Sequence, residues 1–553
     1  MRLALIPLNP TVGDLPANAR AAQDAIHRAA AQGADLIVLP ELAVCGYPPR
    51  DLLLNEGFVD DCMRAVRTLA ASLNAAAQSA TVVIGAPWRD DDDPHALRNS
   101  LAVLRAGAVT HRYDKRLLPT YDVFDEDRYF TPGDAPLVID VKGVPVGLSI
   151  CEDLWRAADA GVAHRYTNRA DPVAELVRAG AQLIVNPSAS PFVLHKEKAH
   201  RAIVTGHVRA HNVAVAALNQ HGANDDLVFN AHASLFVPDP DDPTGARLVG
   251  AVAPFTGDTL IADLPDDPAQ WRTLPAAPDP YKDVAPEQRL WSALTRGVRD
   301  YCAKTGFTSA VIGLSGGIDS ALVACIAAGA LGAQNITGVR LPSRFSSPHS
   351  LDDAQSLADA LRITLRTIPI EPMHSAAESA LRPAYESQGL PTAPDLSDEN
   401  MQSRLRALTL MAWSNKTGAI LLTTGNKSEL ALGYCTLYGD MSGGLAVIAD
   451  CTKRRVYDLS RWINANHRAC GFDTPPIPQS TIDKPPSAEL RPDQKDPDPL
   501  PPYDLVDDVV ERYIEQRQSP ARIAAAPGPA AALVPRRPRL IDLHEHTRVH
   551  GGP

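Results

Sequence analysis

Two short segments carry side chains whose types and placement can do covalent chemistry. Cys151 follows the apolar run Val146-Gly147-Leu148-Ser149-Ile150 and precedes Glu152-Asp153-Leu154-Trp155. A thiol at the end of a buried strand is either a small packed hydrophobe or a nucleophile, and its company decides which. Glu41 ends a second apolar run, Leu36-Ile37-Val38-Leu39-Pro40, and Lys115 stands in Tyr113-Asp114-Lys115-Arg116. Each alone reads as a surface charge. Beside the sulfur they would supply a base for its proton and a cation for the thiolate.

The second segment, Val311-Ile312-Gly313-Leu314-Ser315-Gly316-Gly317-Ile318-Asp319-Ser320, is a buried strand running through glycines into a helix. Gly316 and Gly317 let successive N–H groups converge, the helix start adds a positive dipole end, and Ser315 and Ser320 add hydroxyl donors. That is a phosphate cradle. A Walker loop would place Lys before its Ser, whereas Asp319 stands there and could hold Mg²⁺, so simple γ-phosphoryl transfer is disfavoured.

The elements that must position these groups follow from the apolar pattern. Strand-like runs recur at Leu3 to Leu8, Leu36 to Leu39, Thr81 to Ala86, Val144 to Ile150, Leu183 to Val185 and Val213 to Leu218. Between them, Asn18 to Gln32, Asp60 to Gln78 and Glu197 to Asn212 have helical spacing. The alternation implies α/β layers over residues 1–263. Residues 264–286 (LPDDPAQWRTLPAAPDPYKDVAP) are rich in Pro and Asp and read as a linker. A second α/β series begins at Glu287, with a helix to Lys304, the strand Ala310 to Leu314, the helix Ser320 to Leu331 and the strand Thr337 to Leu341, in a domain spanning 287–553. Of 48 prolines, 15 fall between Pro475 and Pro538, so little regular structure is expected there. The acidic run Asp90 to Asp93 reads as a solvated turn.

A chain of 553 residues exceeds one core, and 45% hydrophobic with 21% charged residues is globular composition. The net charge of −12 repels nucleic acid and anionic lipid. The eight cysteines lie at least sixteen residues apart, with no CxxC pair, and no apolar run could span a membrane. A soluble cytoplasmic protein with free thiols is expected.

The hydroxyl-Gly-Gly-x-Asp-Ser loop resembles that of the N-type ATP pyrophosphatases, which cleave ATP between the α and β phosphates to adenylate a substrate. The loop alone does not choose among such synthetases. The blocks Thr423-Thr424-Gly425-Asn426-Lys427-Ser428-Glu429, Tyr438-Gly439-Asp440 and Thr452-Lys453-Arg454 resemble those of NAD synthetases. So do Gly338 to Ser343, Glu399 to Arg404, and Lys484 to Pro492 with Pro502-Tyr503-Asp504. The resemblance implies a Rossmann-like parallel sheet in which Asp319 and Glu429 hold Mg²⁺. Ser315, Gly316, Gly317, Ile318, Ser320 and Lys453 would meet ATP phosphates, Arg340 and Thr424 would line the nucleotide site, and Arg404, Asp440 and Glu429 would face the dinucleotide. The Lys484 loop would close over both ligands. Taken one at a time, Arg404 is a solvated cation and Glu429 a first-turn carboxylate.

Glu41, Lys115 and Cys151 together resemble the Glu-Lys-Cys triad of the nitrilase superfamily, an α-β-β-α sandwich. The flanks Glu41 to Leu53, Tyr121 to Phe130 and Asn186 to Phe192 resemble the glutaminase domains of glutamine-dependent NAD synthetases. The resemblance implies that Glu41 is the base, that Lys115 and the Glu152 N–H hold the oxyanion, and that Tyr47, Tyr121, Glu152, Trp155 and Ser188 shape a glutamine pocket. It covers roughly 1–510.

Joined, the halves imply one reaction. Glutamine releases ammonia, ATP activates the nicotinate carboxylate of deamido-NAD, and ammonia displaces AMP, giving NAD, AMP, pyrophosphate and glutamate. Ammonia protonates in bulk water, so an enclosed passage is expected, and the resemblance implies a homo-oligomer. Three rivals are a free amide hydrolase, a tRNA thiolation enzyme and a metabolite-binding scaffold. Intact Ser315 to Ser320 disfavours the first, while acidic charge and the absence of paired cysteines disfavour the second. Beyond Gln516 the chain departs from the family pattern, with only Leu540 to Arg548 similar to it, and His221 to Ser234 departs as a surface loop near the first site.

Overall fold

The computed structural model describes residues 1–90, 93, 96–155, 166, 169–485, 489–491, 502–525 and 541–542. The chain divides into two compact units, Met1–Arg289 and Leu290–Pro553. The division falls inside the helix Pro286–Thr305.

Among the described residues, fourteen strands build the first unit: β1 (Arg2–Leu5), β2 (Leu36–Val38), β3 (Thr81–Arg89), β4 (Leu97–Arg105), β5 (Ala108–Asp114), β6 (Val138–Val141), β7 (Val144–Leu148), β8 (Leu183–Ser188), β9 (Ala214–Asn219), β10 (His221–Asn224), β11 (Leu227–Asn230), β12 (Ala233–Pro238), β13 (Ala246–Ala251) and β14 (Leu260–Asp263). They form two six-stranded sheets, β14-β1-β2-β3-β4-β5 and β13-β12-β9-β8-β7-β6, and the hairpin β10-β11. Alternate side chains of a strand face opposite ways. Leu3, Leu5, Leu36, Val38 and Val83 of one sheet therefore join Val146, Leu148, Leu183 and Val185 of the other in a single core. The reverse faces, Ile37, Val82 and Ile84 on one sheet and Ile184 and Val215 on the other, pack with helix residues such as Ile26 and Val66, or Leu176 and Val204. This is the expected α-β-β-α sandwich. It also explains why the central strands are continuous apolar runs, since both faces are covered.

Three local features differ from the expectation. The helix expected over 60–78 is two, Phe58–Ser72 and Ala75–Ser79, because Leu73 is extended and the Asn74 side chain caps the second by accepting the Ala77 N–H at 2.9 Å. The Pro-rich segment 264–286 is packed on the first unit: Trp271 is 2% exposed within the inter-sheet core, and its indole N–H donates to Pro265 O at 2.8 Å. Residues 221–234 form the β10-β11 hairpin and the start of β12, and all four residues of β10 are buried.

In the second unit, β15 (Ala310–Gly313), β16 (Ile336–Arg340), β17 (Thr364–Thr367), β18 (Ile420–Thr423) and β19 (Leu445–Ala446) form a parallel sheet in the order β17-β16-β15-β18-β19. From β15 the chain winds outward through β16 and β17, then returns to add β18 on the other side. The crevice beyond the carboxyl ends of β15 and β18 is thus the switch point where such sheets bind ligands. The helix Ile318–Leu331 leaves that point and is buried almost throughout, from Ala321 to Ala328, which is why its sequence is apolar on every side. The Pro-rich region contains the helices Gln479–Asp483 and Tyr503–Val510, while 486–488 and 492–501 of the Lys484 loop lie outside the described residues. So does most of 526–553, although Ile541 packs with Val506, Val509 and Val510. The acidic run also falls partly outside, at 91–92.

Two candidate active sites

In the first unit the ends of β2, β5 and β7 converge. Cys151 opens a 3₁₀ turn, Cys151–Leu154, just after β7, with a backbone φ of +41°. A non-glycine residue held there is strained, a state that persists only where surrounding structure imposes it. Asp153 imposes it. Its carboxylate accepts N–H groups from Ile150 at 2.9 Å and from Arg116 and Leu117 at 3.0 Å each, and the Tyr113 hydroxyl at 2.8 Å. One buried side chain thereby joins the cysteine turn to the segment carrying Lys115.

Lys115 and Glu41 are both fully buried. The Lys115 ammonium donates to Glu41 Oε1 at 2.7 Å and to both oxygens of Glu126 at 2.8 Å. Glu41 also accepts from the Asn99 amide and the Ala189 N–H, each at 2.8 Å. Burial alone would lower the Lys115 pKa, but Glu126 and Glu41 outweigh it, so the pKa sits well above its ordinary value and the cation is permanent. Burial, then the adjacent Glu41 charge, push the Cys151 thiol well up, with Lys115 opposing. At rest the sulfur therefore keeps its proton and needs a base. Burial pushes Glu126 up to about 7 against the pull of Lys115.

Sequence reasoning gave no role to Glu126, Asn99 or Asp153, nor to Tyr166 and Lys196 nearby. Glu126 lies in a short 3₁₀ turn, Glu126–Arg128, among acidic neighbours. Tyr47, one of the expected pocket residues, is buried and donates to Glu126 Oε1 at 3.0 Å, which places it against the Glu41–Lys115–Glu126 cluster. Glu152 is buried and accepts the hydroxyls of Tyr121 at 3.0 Å and Tyr166 at 2.8 Å. Trp155 and Ser188 line a cavity of about 240 Å³ shared with Lys196, His200, His232 and Tyr281. The Lys196 ammonium lies 5.6 Å from the Trp155 ring centre and donates to the Ser190 hydroxyl at 2.7 Å.

In the second unit the Ser315–Ser320 turn sits at the end of β15. The two hydroxyls are 3.2 Å apart, and Gly317 N–H donates to Ser315 Oγ at 3.2 Å. Gly316 has φ +78°, and a Cβ there would stand 2.2 Å from the Ser350 carbonyl oxygen. Gly316→Ala is thus expected to cost on the order of 2–3 kcal/mol, from a strained φ plus the clash, and to lower the thermal midpoint of this unit by several degrees. An unchanged midpoint would mean that the turn has another conformation open to it.

Lys453 starts the helix Lys453–Ala465 and is 2% exposed. Its ammonium donates to Asp319 Oδ2 at 2.5 Å and Glu429 Oε1 at 3.1 Å, and Asn426 Nδ2 donates to Asp319 Oδ1 at 2.9 Å. Burial pushes Glu429 up to about 7, Lys453 pulling it down and Asp319 adding to the rise. Two carboxylates that share the Lys453 ammonium, beside a glycine turn at a strand end, are the hard oxygen donors that suit Mg²⁺ bound together with phosphate.

The remaining expected residues come from several elements of this unit. Thr424 directly follows β18. Arg340, ending β16, donates to Thr367 Oγ1 at 2.9 Å and Leu351 O at 3.0 Å. Arg404, in the helix Leu396–Thr417, donates to Leu437 O at 3.2 Å, and the neighbouring Ser403 hydroxyl accepts the Asp440 N–H at 3.0 Å, so Arg404 and Asp440 belong to one local assembly. Burial pushes Asp440 up to about 6. Lys484 is tied to Asp353 at 3.0 Å on the helix Pro348–Leu361, whose Ser350 carbonyl abuts Gly316.

The folds and sites define a carbon–nitrogen hydrolase joined to a synthetase of the NAD synthase class. The family model for carbon-nitrogen hydrolases matches residues 2–273, and that for NAD synthases matches 290–550. Over its whole length the chain is 40% identical to a glutamine-dependent NAD(+) synthetase of Synechocystis sp. and 42% identical to one of Rhodobacter capsulatus, in each case across 95% of the relative. The solved structure of the glutamine-dependent NAD(+) synthetase of Acinetobacter baumannii, in complex with adenosine diphosphate, superposes with a TM-score of 0.77 at 30% identity, covering 100% of this chain and 95% of that one. The chain belongs to the glutamine-dependent NAD(+) synthetase family.

Proposed function

We propose that the chain forms NAD from deamido-NAD, ATP and glutamine, releasing AMP, pyrophosphate and glutamate. The observation that carries this reading is that one chain holds both a buried thiol with its Glu41–Lys115–Glu126 cluster and a glycine turn whose Asp319 shares Lys453 with Glu429.

In the first unit Glu41 takes the Cys151 proton as the sulfur attacks the side-chain amide of glutamine. The oxyanion that forms is met by the Lys115 ammonium and the Glu152 N–H, and Glu41 returns the proton to the departing nitrogen. Ammonia leaves, and water then hydrolyses the thioester. Glu126 keeps Lys115 charged and aimed while Tyr47 holds Glu126. The Glu152 carboxylate, fixed by Tyr121 and Tyr166, offers an anion to the α-ammonium of glutamine, with Trp155 and Ser188 on the cavity wall.

In the second unit the N–H groups of Gly316 to Ile318 and the hydroxyls of Ser315 and Ser320 gather the ATP phosphates. Lys453 exchanges a carboxylate partner for a phosphate oxygen as pyrophosphate departs. Arg340 and Thr424 border the nucleotide, while Arg404, Asp440, Glu429 and Lys484 face the dinucleotide. Asp319 and Glu429 would hold Mg²⁺, which would supply charge neutralisation to the phosphates. The reading includes a cytosolic setting and a homo-oligomer; among the described residues no helix is long and apolar enough to cross a membrane.

The test is an assay of the purified chain with deamido-NAD, ATP, Mg²⁺ and either glutamine or ammonium. Equal yields of NAD, AMP and pyrophosphate are expected with both nitrogen sources, and glutamate with the first. ADP and phosphate in place of AMP and pyrophosphate would refute the adenylate step. With ¹⁵N-amide glutamine, steady dilution of label by added ammonium would refute protected delivery of ammonia.

A further inference from the structure

We propose that His374, Glu378 and Asp398 bind a divalent ion of the zinc class, clamping the helix Glu371–Ser387 to the start of the helix Leu396–Thr417. His374 and Glu378 are four residues apart on one helix, so both side chains leave the same face. Asp398 comes from the first turn of the next helix. Each of the three offers one donor atom, and these atoms lie within 4.8 Å of one another.

The imidazole of His374 points to a ligand. It is 1% exposed, and neither Nδ1 nor Nε2 has a hydrogen-bond partner. A buried polar ring left so is costly, and native structures rarely tolerate it without an unseen partner. Glu378 Oε1 is 3.7 Å from Nε2, too far for a hydrogen bond. It is, however, a natural spacing for two atoms that share an ion at about 2.0–2.2 Å from each. The widest pair needs only a small side-chain adjustment to reach the same geometry.

The surrounding groups fix the carboxylates as supports fix metal ligands. Arg344 donates to Glu378 Oε2 at 3.0 Å, which leaves Oε1 turned toward His374. Asp398 Oδ2 accepts the Asp395 N–H at 2.8 Å in a capping box. One imidazole with two carboxylates suits Zn²⁺, Co²⁺ or Mn²⁺, whereas Mg²⁺ prefers oxygen alone. The site is separate from the Asp319–Glu429 pair. It would steady the helix whose next turns carry Ser403 and Arg404, and hence the Asp440 assembly.

The probe is Co²⁺, titrated into the chelator-treated full chain in excess Mg²⁺ and followed by its visible ligand-field absorption. Saturation at one ion per chain is expected. Glu378→Gln, nearly isosteric, and His374→Gln should each weaken binding at least about 10-fold, with folding checked by circular dichroism, while Asp319→Ala should leave the signal in place. Absence of saturable binding, unchanged affinity in Glu378→Gln, or a signal lost only in Asp319→Ala would overturn the proposal.

Discussion

Cys151→Ala is expected to abolish NAD formation from glutamine, by about 10⁴-fold or more, and to leave formation from ammonium unchanged. The magnitude follows from the proposed mechanism, in which no other group replaces the sulfur and the remaining cluster has an oxyanion to hold only if a nucleophile has made one. The substitution is also the cleanest available. Alanine meets the same backbone strain as cysteine at φ +41° and keeps the Asp153 bonds to Ile150, Arg116 and Leu117, which do not involve the thiol. Lys115→Met or Glu41→Gln would by contrast unbalance a buried ion cluster, and breaking such a cluster costs about 3–5 kcal/mol. Loss of activity there would mix chemistry with folding. Measuring both nitrogen sources on Cys151→Ala separates the two, since a misfolded chain loses both rates. Survival of the glutamine-fed rate would show that another group is the nucleophile.

The same cluster shows what a sequence makes legible. Leu36–Val38 and Val144–Leu148 are buried on both faces, so their apolar runs announce central strands, and the end of each run marks the carboxyl end of the strand, beyond which Glu41 and Cys151 stand. Gly316 and Gly317 likewise announce a turn between strand and helix. Glu126 is different. It lies in Tyr121 to Phe130 among Asp122, Asp125 and Asp127, and nothing local distinguishes the one acid that turns inward. Its burial depends on Asn99, brought from β4, and on Lys115, brought from beyond β5. Asp153 is hidden in the same way, because its partners belong to two separate segments. Trp271 sits in a stretch whose prolines and aspartates fit a linker, and only the edge of the inter-sheet core shows why the indole stays. Pairings across large sequence separations, such as Asp319 with Lys453, carry no local signal beyond residue type.

That distant pair sets the second large effect. Asp319→Ala is expected to reduce NAD formation from both glutamine and ammonium by about 10³-fold or more, about 4 kcal/mol of transition-state stabilisation, while glutamine hydrolysis at Cys151 continues. Asp319 has two tasks that alanine cannot perform. It holds the Lys453 ammonium at 2.5 Å on the side of the glycine turn, and with Glu429 it gives the point where carboxylates converge. Once it is removed, Lys453 keeps Glu429 as its remaining carboxylate partner, and the Asn426 amide loses its acceptor. The fold should survive, because Asp319, unlike the fully buried Glu41, is partly exposed, so the lost bonds amount to about 1–3 kcal/mol, and the apolar helix Ile318–Leu331 keeps its packing. A thermal midpoint within a few degrees of the parent would establish that. A parent-like ammonium-fed rate in a folded Asp319→Ala chain would remove Asp319, and its pairing with Lys453, from the proposed nucleotide chemistry.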